Sequence, residues 1–134
     1  MKQIIVAVGL LLLAVRPVAA VEKQAIGERY IGLAERVKLK IETAGKRTEA
    51  VWHKRKLGQM QEEKMKQLWH EYGQHMEAAD EGLDEAKQAL EDRQWKTGVA
   101  AMRRVKVESK AAVTNLRAMV RLLRQGRFKA AIDR

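Results

Sequence analysis

The chain contains no cysteine. That absence excludes disulfides, thiolate metal sites and thiol chemistry, so stability has to come from packing. Its one proline is Pro17, and its one serine is Ser109. A chain without proline beyond residue 17 has little to interrupt long helices. Aromatic residues are scarce, with three Trp, two Tyr and one Phe, so aliphatic and Met side chains must fill the core. The apolar and polar alternation of strands is missing throughout. No phosphate-cradling Gly loop, nucleophile elbow or Ser-His-Asp arrangement is present, and the expectation is that the protein is not an enzyme.

What is present begins with an address. Lys2 precedes the apolar run Ile4–Val15, which Arg16 and Pro17 interrupt and Val18-Ala19-Ala20 closes with small residues. This is the order of a secretory signal. The run is shorter than the ~20 apolar residues that a membrane span needs. The expectation is a cleaved signal over residues 1–20 and a single periplasmic or secreted domain over 21–134, without a transmembrane span in the mature chain. An uncleaved anchor is the alternative for this segment.

The mature chain is dominated by Ala, Glu, Lys, Arg, Leu, Gln and Met, all strong helix formers. The expected fold class is all-α, an elongated antiparallel bundle or hairpin of three to four helices. Ile26, Tyr30, Leu33, Val37, Ile41 and Ala44 step by 4, 3, 4, 4 and 3, which predicts a first helix over 22–44. Gly45 suits its C-terminal cap, and Thr48 suits the start of the next helix near Glu49. That second helix carries a stripe from Leu57 to Leu90 and is expected to continue to Asp92, with a break at Asp80–Gly82 as the alternative. A turn follows over 93–98, with Trp95 packed over it. Met102, Val105, Ser109, Ala112, Leu116, Met119 and Leu123 step by 3, 4, 3, 4, 3 and 4 in the last long helix, 99–125. This heptad implies close packing against another helix or another copy of the chain. Gly126 is expected to end it, with Phe128, Ala131 and Ile132 in a short final turn.

Charge is unevenly spread. Setting aside Lys2 and Arg16, the chain has 25 basic and 17 acidic residues, a net +8. Residues 21–102 are balanced, and residues 103–134 hold the whole excess. Arg103, Lys106, Lys110, Arg117, Arg121 and Arg124 step by 3, 4, 7, 4 and 3, which keeps them on one face. Such a face suits an anionic envelope component or an acidic protein. The competing account is internal, with the acidic stretch 71–92 lying beside the basic last helix and setting its register. Nucleic acid is the usual partner of so basic a chain, but the signal argues against it and no nucleic-acid-binding motif is visible.

Metal-ligating candidates are few. His70 and His75 are five apart and lie on different helical faces. Glu71 and His75 are four apart and are the one weak metal pair. The Met residues fit core filling better than ligation.

The segment Leu83–Leu90, followed by a turn and Ala100-Ala101-Met102, resembles the last helical hairpin of periplasmic haem-b bundle cytochromes. The resemblance covers about a third of the chain. It implies haem held between a Met of the first helix and a His of the last, yet this chain has no Met in its first helix and no His after His75. A second similarity, to tetratricopeptide repeats, rests on Gln94–Val99 and Arg127–Ile132 lying 33 residues apart. The expected function is therefore an exported, non-enzymatic helical protein. It would bind or scaffold at the envelope, or act like a chaperone, through its basic last helix and without a cofactor. The alternative is a small periplasmic haem- or metal-binding bundle carrier.

Overall fold

The computed structural model describes the backbone of residues 20–132 and the side chains of residues 21–125. The expected signal, residues 1–20, lies outside the described residues except for the backbone of Ala20. Three helices account for nearly all of the described chain: α1 (Ala20–His53), α2 (Gln59–Glu91) and α3 (Trp95–Ile132), with no strand among the described residues. None of these helices is long and apolar enough to cross a membrane.

The helices differ from the expected ones at their ends. α1 passes through Gly45 and Thr48 instead of ending there. The Thr48 hydroxyl donates to the Ala44 carbonyl at 2.8 Å, the bond of a Thr inside a helix and not of one capping it. The α1–α2 turn therefore falls later, over 54–58, and Gly58 accepts from the Glu62 amide at 2.9 Å to open α2. α2 runs through Asp80–Gly82 without a break. The next turn occupies only 92–94. There the Gln94 amide reaches the Ala89 carbonyl and the Arg93 amide reaches the Leu90 carbonyl. This is the paired closure of a Schellman motif, with Arg93 at φ 55° where Gly is usual. α3 continues through Gly126 to Ile132, so no separate final turn forms. The two segments that are similar to tetratricopeptide repeats lie at opposite ends of this one helix.

The chain divides into two compact units. Unit 1 comprises residues up to Val37 together with Ala78–Val107; unit 2 comprises Lys38–Glu77 and the residues from Glu108 onward. Each is a three-helix packing, and successive helices are antiparallel as expected. In unit 1, Ile31, Leu83, Ala86, Ala101 and Val105 form the core. In unit 2, Ile41, Trp52, Met65, Leu68, Tyr72, Met76, Ala112, Leu116, Met119 and Leu123 do so, with Met65, Ala112 and Met119 at 0% exposure.

The buried side of α1 is only partly the one expected: Tyr30 and Ile41 are buried and Ile26 is half-buried as the spacing predicts, but most of the residues that line it differ. It runs through Gly27, Ile31, Ala34, Lys38, Ile41, Gly45, Thr48 and Trp52, a strict 4-3 alternation. Leu33 and Val37 are about two-fifths exposed instead, and Ala44 is exposed. Small residues sit in this seam because neighbours enter it. A Cβ on Gly45 would meet the Tyr72 ring, with Cζ at 2.9 Å and the hydroxyl closer still. The Tyr72 hydroxyl donates to the Ile41 carbonyl at 3.4 Å beside that notch. The α3 heptad is filled as expected, except that Met102 and Ser109 are only half-buried, and the chain's own helices cover it. Buried Asn115 donates to the Leu68 carbonyl at 3.5 Å, a polar contact that resists slippage of α3 along α2.

Candidate functional site

The six cations expected on one face all lie on α3. Arg103 and Lys106 belong to unit 1, and Lys110, Arg117, Arg121 and Arg124 to unit 2. Lys106 is half-buried and the other five are exposed. At 3.6 residues per turn, the four in unit 2 fall within an arc of about 60°. The arc lies opposite Ala112, Leu116, Met119 and Leu123, which point into the core. It therefore faces away from α1 and α2. None of the six makes an ion pair among the described residues.

Among the described residues, the cation of α3 that does pair is Arg104, which stands off that face. Its guanidinium donates to Glu85 at 3.2 Å and Glu81 at 3.1 Å within unit 1. Lys87 likewise meets Glu35 at 2.8 Å. The internal role expected for the acidic stretch is thus carried out by Arg104 and α2, while the stripe itself is left open. These exposed pairs are each worth ~0–1 kcal/mol.

Folding also redistributes charge. Over residues 21–125, unit 1 has nine basic and nine acidic side chains, while unit 2 has thirteen basic and seven acidic. The whole +6 excess of that span sits in unit 2. A second group of cations contributes there: Lys54 and Lys56 are exposed and Arg55 is half-buried in the α1–α2 turn, and none has an ion pair among the described residues. Met60 stands beside them at 84% exposure, not on the core stripe that its spacing suggested. Sequence periodicity passes over these residues because a turn has no period. The run Lys54-Arg55-Lys56 was the visible signal.

The turn is braced from within. The Trp52 indole N–H donates to both carboxylate oxygens of Glu62, at 3.1 and 3.0 Å. Trp52 meets Trp69 edge-on at 6.4 Å, and Trp69 stacks on Tyr72 at 5.0 Å. Burial, and secondarily the Glu42 carboxylate, push the Tyr72 hydroxyl above its ordinary pKa.

The weak metal candidates Glu71 and His75 each have another partner. His75 Nδ1 lies 2.6 Å from Glu108 on α3, while Glu71 accepts from the Gln67 amide at 3.3 Å. No three His, Asp or Glu side chains converge on a metal-sized site among the described residues. Unit 1 holds an apolar cleft lined by Gly27, Tyr30, Leu90, Trp95, Val99 and Met102, with the Lys23 ammonium 5.9 Å above the Trp95 ring. Met102 is the soft donor in that cleft, whereas His53, His70 and His75 all belong to unit 2.

Comparison with protein-family models, with curated proteins and with solved structures found no match.

Proposed function

We propose that this protein is an exported, non-enzymatic helical module that binds an anionic component of the cell envelope, or an acidic protein, through α3. The observation that carries this reading is the arc of Lys110, Arg117, Arg121 and Arg124. Four cations point away from the core and have no counter-charge among the described residues. Internal pairing would have consumed them, as it consumes Arg104. A binding face is the use that leaves them open. A scaffold and a chaperone-like protein would share this face and differ in their partner. Export follows from the order of charges and apolar residues before Val21, and N-terminal sequencing of the protein from its own host tests it.

The binding test replaces Arg117, Arg121 and Arg124 by Gln together and measures retention on purified envelope at low and high salt. Weaker binding of the variant, and weaker binding of the unaltered chain as salt rises, are expected. Equal binding of the two proteins refutes the reading. Self-association through the α3 heptad is a separate proposal, and it loses support because that seam is already covered within each unit. Sedimentation at two concentrations tests it.

A further inference from the structure

The cationic surface of unit 2 does not end with α3. Two contacts set the level of α3 against α2: His75 meets Glu108, and Asn115 meets the Leu68 carbonyl. Continued along two antiparallel helices of equal rise, that register puts Arg121 level with Glu62 and Arg124 level with Gln59, the first residue of α2. The α1–α2 turn, residues 54–58, stands at this same end of unit 2. The turn leads directly into Gln59, and Leu57 from the turn and Leu122 from α3 both pack on the core cluster of unit 2. One end of unit 2 therefore gathers Lys54, Arg55, Lys56, Arg121 and Arg124. Of the carboxylates nearby, Glu62 is engaged by the Trp52 indole, and Glu63 is exposed.

The same end exposes apolar side chains. Met60 is 84% exposed one residue into α2, and Val51 is 40% exposed just before the turn. A soluble polyanion would be served by the cations alone. Cations at the same end as an exposed, flexible thioether side chain suit a surface with a charged outer layer and an apolar layer just below it.

We propose that this end of unit 2 docks on an anionic lipid surface, with Lys54, Arg55, Lys56, Arg121 and Arg124 on the phosphates and Met60 entering the headgroup boundary. This rests on the reading of α3 as a cationic binding face and adds the turn and the kind of partner to it.

The test is co-sedimentation of the exported chain, purified from its own host, with phosphatidylcholine vesicles, with and without phosphatidylglycerol. Binding only to the anionic vesicles, weakening as salt rises, is expected. The combined variant Lys54→Gln, Arg55→Gln, Lys56→Gln should bind on the order of a hundredfold more weakly, from roughly fivefold per cation removed at the surface. Met60→Gln, which leaves every charge in place, should bind about three- to tenfold more weakly. All four residues lie outside the buried core, so unchanged melting temperatures are expected. The salt titration of the unaltered chain reads the electrostatic part without any variant.

If the α3 triple variant loses vesicle binding and the turn triple variant does not, the extended site is wrong and the α3 reading stands. If the unaltered chain binds heparin and not anionic vesicles, the lipid assignment is wrong. If neither triple variant loses binding to either probe, both readings fall.

Discussion

Gly45 offers the sharpest test of how α1 is seated in unit 2. Changing Gly to Ala inside a helix ordinarily stabilises it by about 1 kcal/mol. Here the added methyl would meet Tyr72 Cζ at 2.9 Å and Cε1 at 3.2 Å, with the hydroxyl nearer still. A flexible side chain would swing aside at little cost. Tyr72 has little freedom to do so, because its ring is buried, stacked on Trp69 and tied to the Ile41 carbonyl. Overpacking of this kind costs about 2–3 kcal/mol. The net expectation for Gly45→Ala is a loss of about 1–2 kcal/mol, a fall of about 4–8 °C in Tm at ~4 °C per kcal/mol. Gly73→Ala is the matched control. It is also helical and has no atom within 4 Å of the added Cβ, so it should gain about 1 kcal/mol and melt about 4 °C higher. Thermal melts by far-ultraviolet circular dichroism read both. Pairing Gly45→Ala with Tyr72→Phe removes the closest clash, so the double variant should be less destabilised than the two single losses added together. If Gly45→Ala melts at or above the unaltered chain, the Tyr72 ring is not lodged against α1 and the seam assigned to α1 is wrong.

Other consequences follow from single contacts. Arg93 holds a left-handed conformation that costs a non-glycine residue about 1 kcal/mol, so Arg93→Gly should raise the urea midpoint without changing the slope. The neutral Tyr72 hydroxyl is favoured in the folded state, so the unfolded chain ionises first as pH rises. Stability is then complete below about pH 10 and declines as pH climbs towards the higher folded value. Tyr72→Phe should flatten that decline in urea melts, and an equally steep decline in the variant would contradict it. Glu62→Leu leaves the Trp52 indole N–H without its acceptor. It should cost about 1–2 kcal/mol and alter tryptophan emission. His75→Gln should cost less than about 1 kcal/mol, because that pair is partly exposed, and a larger loss would show that the contact has a structural role beyond pairing.

Much of the architecture was legible in the sequence. Strong helix formers, one proline and the absence of alternation are enough for an all-helical chain. The α3 heptad was read correctly because every one of its residues except Ser109 is apolar. The buried side of α1 was read correctly at Tyr30 and Ile41 and misread elsewhere for the converse reason: four of the eight seam positions are Gly27, Lys38, Gly45 and Thr48, which no hydrophobic count would select. Leu33 and Val37 look like core and are half outside, since burial depends on what a neighbour inserts. Gly45 reads locally as a helix stop. It is instead a notch, because Tyr72 lies 27 residues further along and enters it only after the chain has turned back.

The candidate site divides in the same way. Sequence alone determined which residues are charged and that six cations of α3 share a face, because helical spacing is a local property. It could not determine which charges survive folding. Along the chain, the excess belongs to residues 103–134 as a block. In the folded protein, α2 brings Glu81 and Glu85 to Arg104, and the charges of unit 1 balance. Lys38, Lys40, Lys46 and Arg47 of α1 and the basic residues of the turn join Lys110, Arg117, Arg121 and Arg124 in unit 2. Attraction and repulsion act through space within about a Debye length, ~8–10 Å in physiological salt, and sequence order carries no such distance. Only the antiparallel return of α2 and α3 decided that one unit is neutral and the other cationic.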